Sequence, residues 1–185
     1  MRIAVYSGSF NPLHIGHLAI LRYLSSWEGA DWTYLVVSPQ NPLKDAAGAR
    51  TGKERYLAAL AALQRHPELR VWLDDIELRM PPPSYTIRTL DTLARQEPGN
   101  EFTLIVGGDN LANLRQWKDY KRILLEYGIA VYPRRGFDLE ALRDDLLAED
   151  PLYRITLLDC PLVDVSSTQI REALARGEEV SDLLM

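Results

Sequence analysis

A chain of 185 residues, 46% hydrophobic and 25% charged, has the bulk for one continuous core, and a single domain over 1–185 is expected. A net charge of -5, with scattered basic residues, argues against a nucleic-acid partner. The one cysteine, Cys160, leaves no intrachain disulfide. No apolar run approaches a membrane span, and the run after Arg2 ends in Ser7-Gly8, too soon for a signal peptide, so a cytoplasmic protein is expected.

In chain order, Ile3–Tyr6 reads as a short buried strand broken by Gly8, followed by a helical pattern from about His17 to Trp27. Tyr34–Val37 is a second strand. Thr51-Gly-Lys-Glu54 has capping-box spacing and opens a helix to about Gln64. Val71–Leu73 is a third strand. Pro81-Pro82-Pro83 excludes helix interior, and Ser84 is placed to cap a helix reaching about Arg95. Phe102–Val106 is a fourth strand, stopped by Gly107-Gly108. A short helix follows, then one from about Lys118 to Glu126, with Gly128 past its end. Ile129–Tyr132 and Ile155–Leu158 are strands five and six, separated by a weakly helical 139–147. Ser166 to Arg176 is the last helix, with Gly177 beyond it. Strands alternating with helices predict a parallel sheet covered on both faces. The acidic stretch 144–150 reads as a solvated face, and Trp27, Trp32 and Trp72 as packing residues.

In an open parallel sheet, ligands bind beyond the carboxyl ends of the strands, where strand order reverses. The unusual residues of this chain gather after strands. Ser7-Gly-Ser-Phe-Asn-Pro-Leu-His-Ile-Gly-His17 follows strand one. Gly8 permits close backbone approach, while Ser9 and nearby amides offer donors. His14 and His17, two of only three histidines, fall on one side of a helical turn whose start adds amides and a positive dipole end. These features suit a triphosphate; a metal pair lacks an evident third ligand. His66 reads as a surface residue. Gly107-Gly-Asp-Asn110 follows strand four, Pro133-Arg-Arg-Gly136 strand five, and Val165-Ser-Ser-Thr-Gln-Ile-Arg171 strand six. Ser166 to Gln169 has capping-box spacing, and two spare hydroxyls with Arg171 make a candidate second phosphate site. Gly48 to Glu54 superficially looks like a P-loop, but has one residue too few between its glycines and a Glu where Ser or Thr is needed.

The sequence resembles the nucleotidyltransferase superfamily with a His-x-Gly-His signature, and within it the bacterial nicotinate-nucleotide adenylyltransferases. The resemblance is carried by 8–17, Asn41-Pro-Leu-Lys44, Pro83-Ser-Tyr-Thr86 with Thr89-Leu90, Gly108-Asp-Asn110 with Trp117, Arg134-Arg135, and Ser166-Ser-Thr-x-Ile-Arg171, in the family's order. Leu43 stands where the family often has His, and relatives usually continue beyond the position of Met185 into a further helix.

The resemblance implies a Rossmann-like, doubly wound, mostly parallel sheet of five to six strands with helices on both faces. It implies adenylyl transfer from ATP to nicotinate mononucleotide, giving nicotinate adenine dinucleotide and pyrophosphate. His14, His17 and Lys44 would be catalytic. Gly8, Ser9, Phe10, Gly107, Asp109, Ser166, Ser167, Thr168 and Arg171 would join the histidines in binding ATP. Ser84, Tyr85, Thr86, Trp117 and Arg134, with Ser9, Phe10 and Lys44, would bind the pyridine nucleotide. Mg2+ would be held through phosphates and water rather than by a carboxylate cage. Asp109 would meet a ribose hydroxyl or a water of the metal; its alternative is to cap the next helix. The competing readings are a related enzyme acting on nicotinamide mononucleotide or phosphopantetheine, and a nucleotide sensor without turnover. A homo-oligomer is left open.

Overall fold

The strands of the computed structural model are β1 (Arg2–Gly8), β2 (Trp32–Val37), β3 (Val71–Asp74), β4 (Glu101–Gly107), β5 (Ile129–Tyr132) and β6 (Ile155–Leu157). They pair in the order β3-β2-β1-β4-β5-β6, every neighbour parallel. The structure describes residues 1–39 and 50–185. The expectations for Asn41-Pro-Leu-Lys44 and for Gly48 therefore lie outside the described residues.

Side-chain alternation divides the core in two, because successive strand residues face opposite sides. Ile3 and Val5 of β1, Val36 of β2 and Leu104 and Val106 of β4 meet Ile87, Leu90 and Leu93 of one helix, α4 (Thr86–Gln96). Ala4 and Tyr6 of β1, Leu35 and Val37 of β2 and Ile105 of β4 meet α1 (Ile15–Ser26) and α2 (Gly52–Gln64) through Leu18, Leu21, Leu24, Ala59 and Ala62. Burial on both faces is why these strands read as unbroken apolar runs.

Four further helices complete the sequence up to β6: α3 (Ile76–Arg79), α5 (Gly108–Ala112), α6 (Tyr120–Arg122) and α7 (Leu139–Glu149). The last, α8 (Ser167–Ala175), packs Ile170 and Ala173 on Val180 in a small cluster of its own rather than in either sheet core. Strand order reverses between β1 and β4, which pair directly, so Gly8 and Gly107 end neighbouring strands at one edge.

Several local expectations are corrected. Helix α1 begins at Ile15 because His14, not a residue after it, is its cap. Helix α4 is entered from Tyr85, and the Ser84 hydroxyl is buried without a partner instead of capping. The predicted helix over 118–126 is the short α6 followed by a wider π-turn over Ile123–Tyr127, closed by Gly128 at φ 81°. Trp72 is 63% exposed and Trp32 39%, so neither is a core residue. The acidic stretch is a solvated face as expected, and within it Asp145 and Glu149 pair with Arg115 at 2.9 and 3.3 Å, Glu149 also accepting from Tyr120 and Tyr153. Thr51 does cap α2, exchanging bonds with Glu54.

Candidate active site

The His-x-Gly-His segment is a capping box made of histidines. The His14 Nδ1 accepts from the Gly16 amide at 3.0 Å, and the His17 Nδ1 accepts from the His14 amide at 3.1 Å. Each bond satisfies an amide that the helix start would otherwise leave unpaired. Gly16 is required by this geometry: a Cβ there would lie 2.8 Å from the His14 ring. The rings stack at a centroid separation of 3.7 Å. Phe10 stands edge-on to His17 at 5.2 Å and to Tyr6 at 5.3 Å. Phe10 is buried and holds φ 47°, a left-handed conformation that a bulky side chain rarely adopts.

The caps assign the histidine tautomers. An Nδ1 that accepts a backbone N–H carries a lone pair, so the neutral ring has its proton on Nε2. Burial, and after it the Arg134 charge, pushes His14 down to about 4. Burial, then His14 and Arg134, holds His17 well below the ordinary imidazole range. Both rings are therefore neutral Nε2–H donors at neutral pH. Protonating either Nδ1 would remove the cap bond it accepts.

A cavity of about 1250 Å³ opens over this segment. Its walls include Ser9, Phe10, His14 and His17 from the first loop, Arg134 after β5, and Ser166, Ser167, Thr168 and Arg171 from the start of α8. The spare hydroxyls expected at α8 are engaged. Ser166 Oγ accepts from the Gln169 amide at 3.1 Å, and Ser167 Oγ donates to the Pro12 carbonyl at 2.9 Å. Thr168 Oγ1 accepts from Arg171, whose other nitrogen donates to the Asn11 carbonyl at 2.6 Å. The bonds to Pro12 and Asn11 tie the start of α8 to the first loop.

Past β4, Gly107 leaves room for the Asp109 carboxylate; a Cβ there would sit 2.6 Å from Asp109 Oδ1. Gly107 itself is the cap residue of α5, so Asp109 does not cap that helix. Asp109 Oδ1 lies 3.5 Å from Arg134 Nε, an ion-pair contact outside hydrogen-bond geometry, and has no hydrogen-bond partner among the described residues. A carboxylate oxygen whose one cationic neighbour is this loosely placed has the capacity to accept a hydrogen bond, such as one from a ribose hydroxyl or a metal-bound water.

The candidate pyridine residues form a separate group. The Lys118 ammonium sits 4.6 Å over the Tyr85 ring, which brings the 84–86 segment beside Trp117-Lys118. Trp117 is partly buried against the core face that α4 covers. None of Ser84, Tyr85, Thr86, Trp117, Gly107 and Asp109 lines the 1250 Å³ cavity.

Two residues escaped the sequence reading. Arg55 is 1% exposed, and Glu77 on the unforeseen α3 is 4% exposed. A signal existed for Arg55: it shares the buried stripe of Ala59 and Ala62, four and seven residues on.

Residues 5–173 match the family described as cytidylyltransferase-like. The chain is 40% identical over 97% of its length to a probable nicotinate-nucleotide adenylyltransferase of Bacteroides fragilis, covering 85% of that protein. It is 36% identical over its whole length to one of Flavobacterium johnsoniae, covering 92% of it. In shape it is similar to Plasmodium falciparum nicotinic acid mononucleotide adenylyltransferase complexed with NaAD, with a TM-score of 0.79, 19% identity, and coverage of 98% of this chain and 87% of that one.

Proposed function

Since the chain belongs to the nicotinate-nucleotide adenylyltransferases of the cytidylyltransferase-like family, we propose that it transfers the adenylyl group of ATP to nicotinate mononucleotide and releases pyrophosphate. The observation that carries the chemistry is the pair of neutral, stacked imidazoles at the mouth of α1, with α8 and Arg171 across the cavity.

The acceptor phosphate oxygen is already anionic, so its attack on the α-phosphorus needs no protein base. The new O–P bond forms as the bond from the α-phosphorus to the bridging oxygen breaks, and pyrophosphate leaves with that electron pair. What the protein must supply is alignment and donors for the charge that develops on the α-phosphate and the leaving group. His17 and His14 are suited to this as Nε2–H donors. The start of α8 and Arg171 are suited to the β- and γ-phosphates, and Arg134 to a substrate phosphate on the other wall. Lys44, outside the described residues, is proposed to reach the triphosphate.

Mg2+ would supply charge neutralisation on the phosphates. Asp109 Oδ1, which has a 3.5 Å ion-pair contact with Arg134 but no hydrogen-bond partner among the described residues, would hold a water of that ion or a ribose hydroxyl. Among the described residues, no three His, Cys, Asp or Glu side chains group closely enough to hold the ion directly. Thr86 and nearby amides are assigned to the pyridine carboxylate, and Trp117 to its ring. Among the described residues no helix is long and apolar enough to cross a membrane. The test is product formation from ATP and Mg2+ with nicotinate mononucleotide, nicotinamide mononucleotide and phosphopantetheine offered separately. Preference for the first supports the reading; preference for either other acceptor overturns it.

A further inference from the structure

Two buried groups of opposite charge bind the ends of β1 and β2 and the start of the phosphate loop rather than each other, Arg55 through backbone carbonyls and Glu77 through serine hydroxyls. Arg55 Nη1 donates to the carbonyl oxygens of Ser9 and Ser38, each at 2.7 Å. Its Nε reaches the Arg50 carbonyl at 3.4 Å. Among the described residues no carboxylate forms an ion pair with it. Glu77 accepts from Ser7 Oγ at 2.9 Å and from Ser38 Oγ at 3.0 Å. The Ser38 amide in turn donates to the Gly8 carbonyl at 2.8 Å. Ser38 is thus held by its amide, its carbonyl and its hydroxyl at once, and the ends of β1 and β2 become one unit.

Stability alone does not account for this. Burying a guanidinium against carbonyls is expensive, and well-packed apolar side chains of similar size are often as stable as buried charges. Burial lowers the Arg55 pKa and raises that of Glu77, each disfavouring the charged form. What the arrangement does provide is orientation. A trans peptide is planar, so turning the Ser9 carbonyl toward Arg55 turns the Phe10 amide the opposite way. The next residue, Phe10, is the one held at φ 47° and packed edge-on to His17. A strained conformation of this kind persists only where its surroundings fix it.

We propose that Arg55 is a positioning residue for adenylyl transfer: by clamping the Ser9 and Ser38 carbonyls, with Glu77 holding Ser7 and Ser38 from the other side, it fixes the Phe10 turn and through it the placement of His17. This rests on the function proposed above. Arg55 lies in the lining of the cavity, but it is 1% exposed and its Nη1 is bound to the loop carbonyls, so it is assigned to act through the loop.

The experiment compares Arg55→Lys and Arg55→Met with the wild-type chain in steady-state kcat and ATP KM, thermal melting, and calorimetric binding of a non-hydrolysable ATP analogue. Misplacing reacting groups by about 1 Å costs about 10²-fold, so kcat per folded Arg55→Met molecule falls on that order while ATP KM and analogue affinity change much less. Arg55→Lys, able to reach one carbonyl at a time, recovers part of the loss. If Arg55→Met does not fold, a reduced kcat in folded Arg55→Lys supports the claim. Wild-type kcat in every folded variant, with only the melting temperature lowered, overturns it. A wild-type chain that releases no pyrophosphate with any acceptor contradicts the function itself, whereas normal wild-type turnover with unimpaired variants contradicts only the role of Arg55.

Discussion

The His17 imidazole accepts the backbone N–H of His14 while the His14 imidazole accepts that of Gly16, so one pair of hydrogen bonds both starts a helix and sets the tautomers of the two imidazoles proposed as phosphate donors. The structural and chemical roles can be separated by substitution. His17→Ala removes a donor aimed at developing charge, and kcat is expected to fall by about 10²–10³-fold. It also removes one capping bond, at about 1 kcal/mol. Single-turnover kinetics beside a thermal melt measures both. A kcat loss no larger than the stability loss explains would return His17 to a packing role.

Acid should destabilise the free protein through this pair. Both histidines titrate lower in the folded chain than in the unfolded one, where 6.5 is the ordinary value. Between 6.5 and about 4 the unfolded chain therefore binds more protons at His14. The stabilising contribution is complete above 6.5 and is lost as pH falls toward 4, with a slope of at most about 1.4 kcal/mol per pH unit for each group. His14→Asn keeps a capping acceptor but cannot titrate. Its denaturation midpoint should change less with pH over that interval than the wild type's. Parallel pH dependences would show that His14 is not the titrating group.

Arg171 is held by the Asn11 carbonyl and Thr168 in the free protein, and is expected to exchange those partners for ATP phosphate oxygens. Arg171→Met should raise the ATP KM by about tenfold, the size of one charge-assisted hydrogen bond, and leave the KM of the pyridine mononucleotide nearly unchanged. An effect on the second substrate alone would move Arg171 out of the triphosphate site.

The order of strands and helices was legible because parallel strands buried on both faces are continuous apolar runs, as in Phe102–Val106 and Ile129–Tyr132. The pairing of the first-loop histidines was legible because so few histidines occur and two fall within one turn. Their capping bonds were not, since nothing in the spacing says that an imidazole rather than a hydroxyl will close the box. Ser84 looked like a cap by composition, but the burial of its hydroxyl decided otherwise. Arg55 and Glu77 stayed hidden because their partners, the Ser9 and Ser38 carbonyls and the Ser7 and Ser38 hydroxyls, lie at the ends of β1 and β2, distant in sequence.

The pyridine end gives an independent prediction. Trp117→Ala should raise the KM of nicotinate mononucleotide by up to about tenfold, the range of one aromatic stacking contact, with little change in ATP affinity. Thr86→Val should weaken nicotinate mononucleotide more than the nicotinamide form, since it removes a hydroxyl assigned to the carboxylate. Initial rates at varied acceptor concentration, with ATP saturating, measure both. Equal weakening of both acceptors by Thr86→Val would separate Thr86 from the carboxylate.

Adenylyl transfer to an acidic pyridine nucleotide is read out by kcat/KM for nicotinate mononucleotide against nicotinamide mononucleotide, followed by pyrophosphate release and dinucleotide formation with ATP and Mg2+. A clear preference for the nicotinate form is expected, with one pyrophosphate released for each nicotinate adenine dinucleotide made. A preference for the nicotinamide form, or saturable ATP binding with no pyrophosphate from either acceptor, would contradict it.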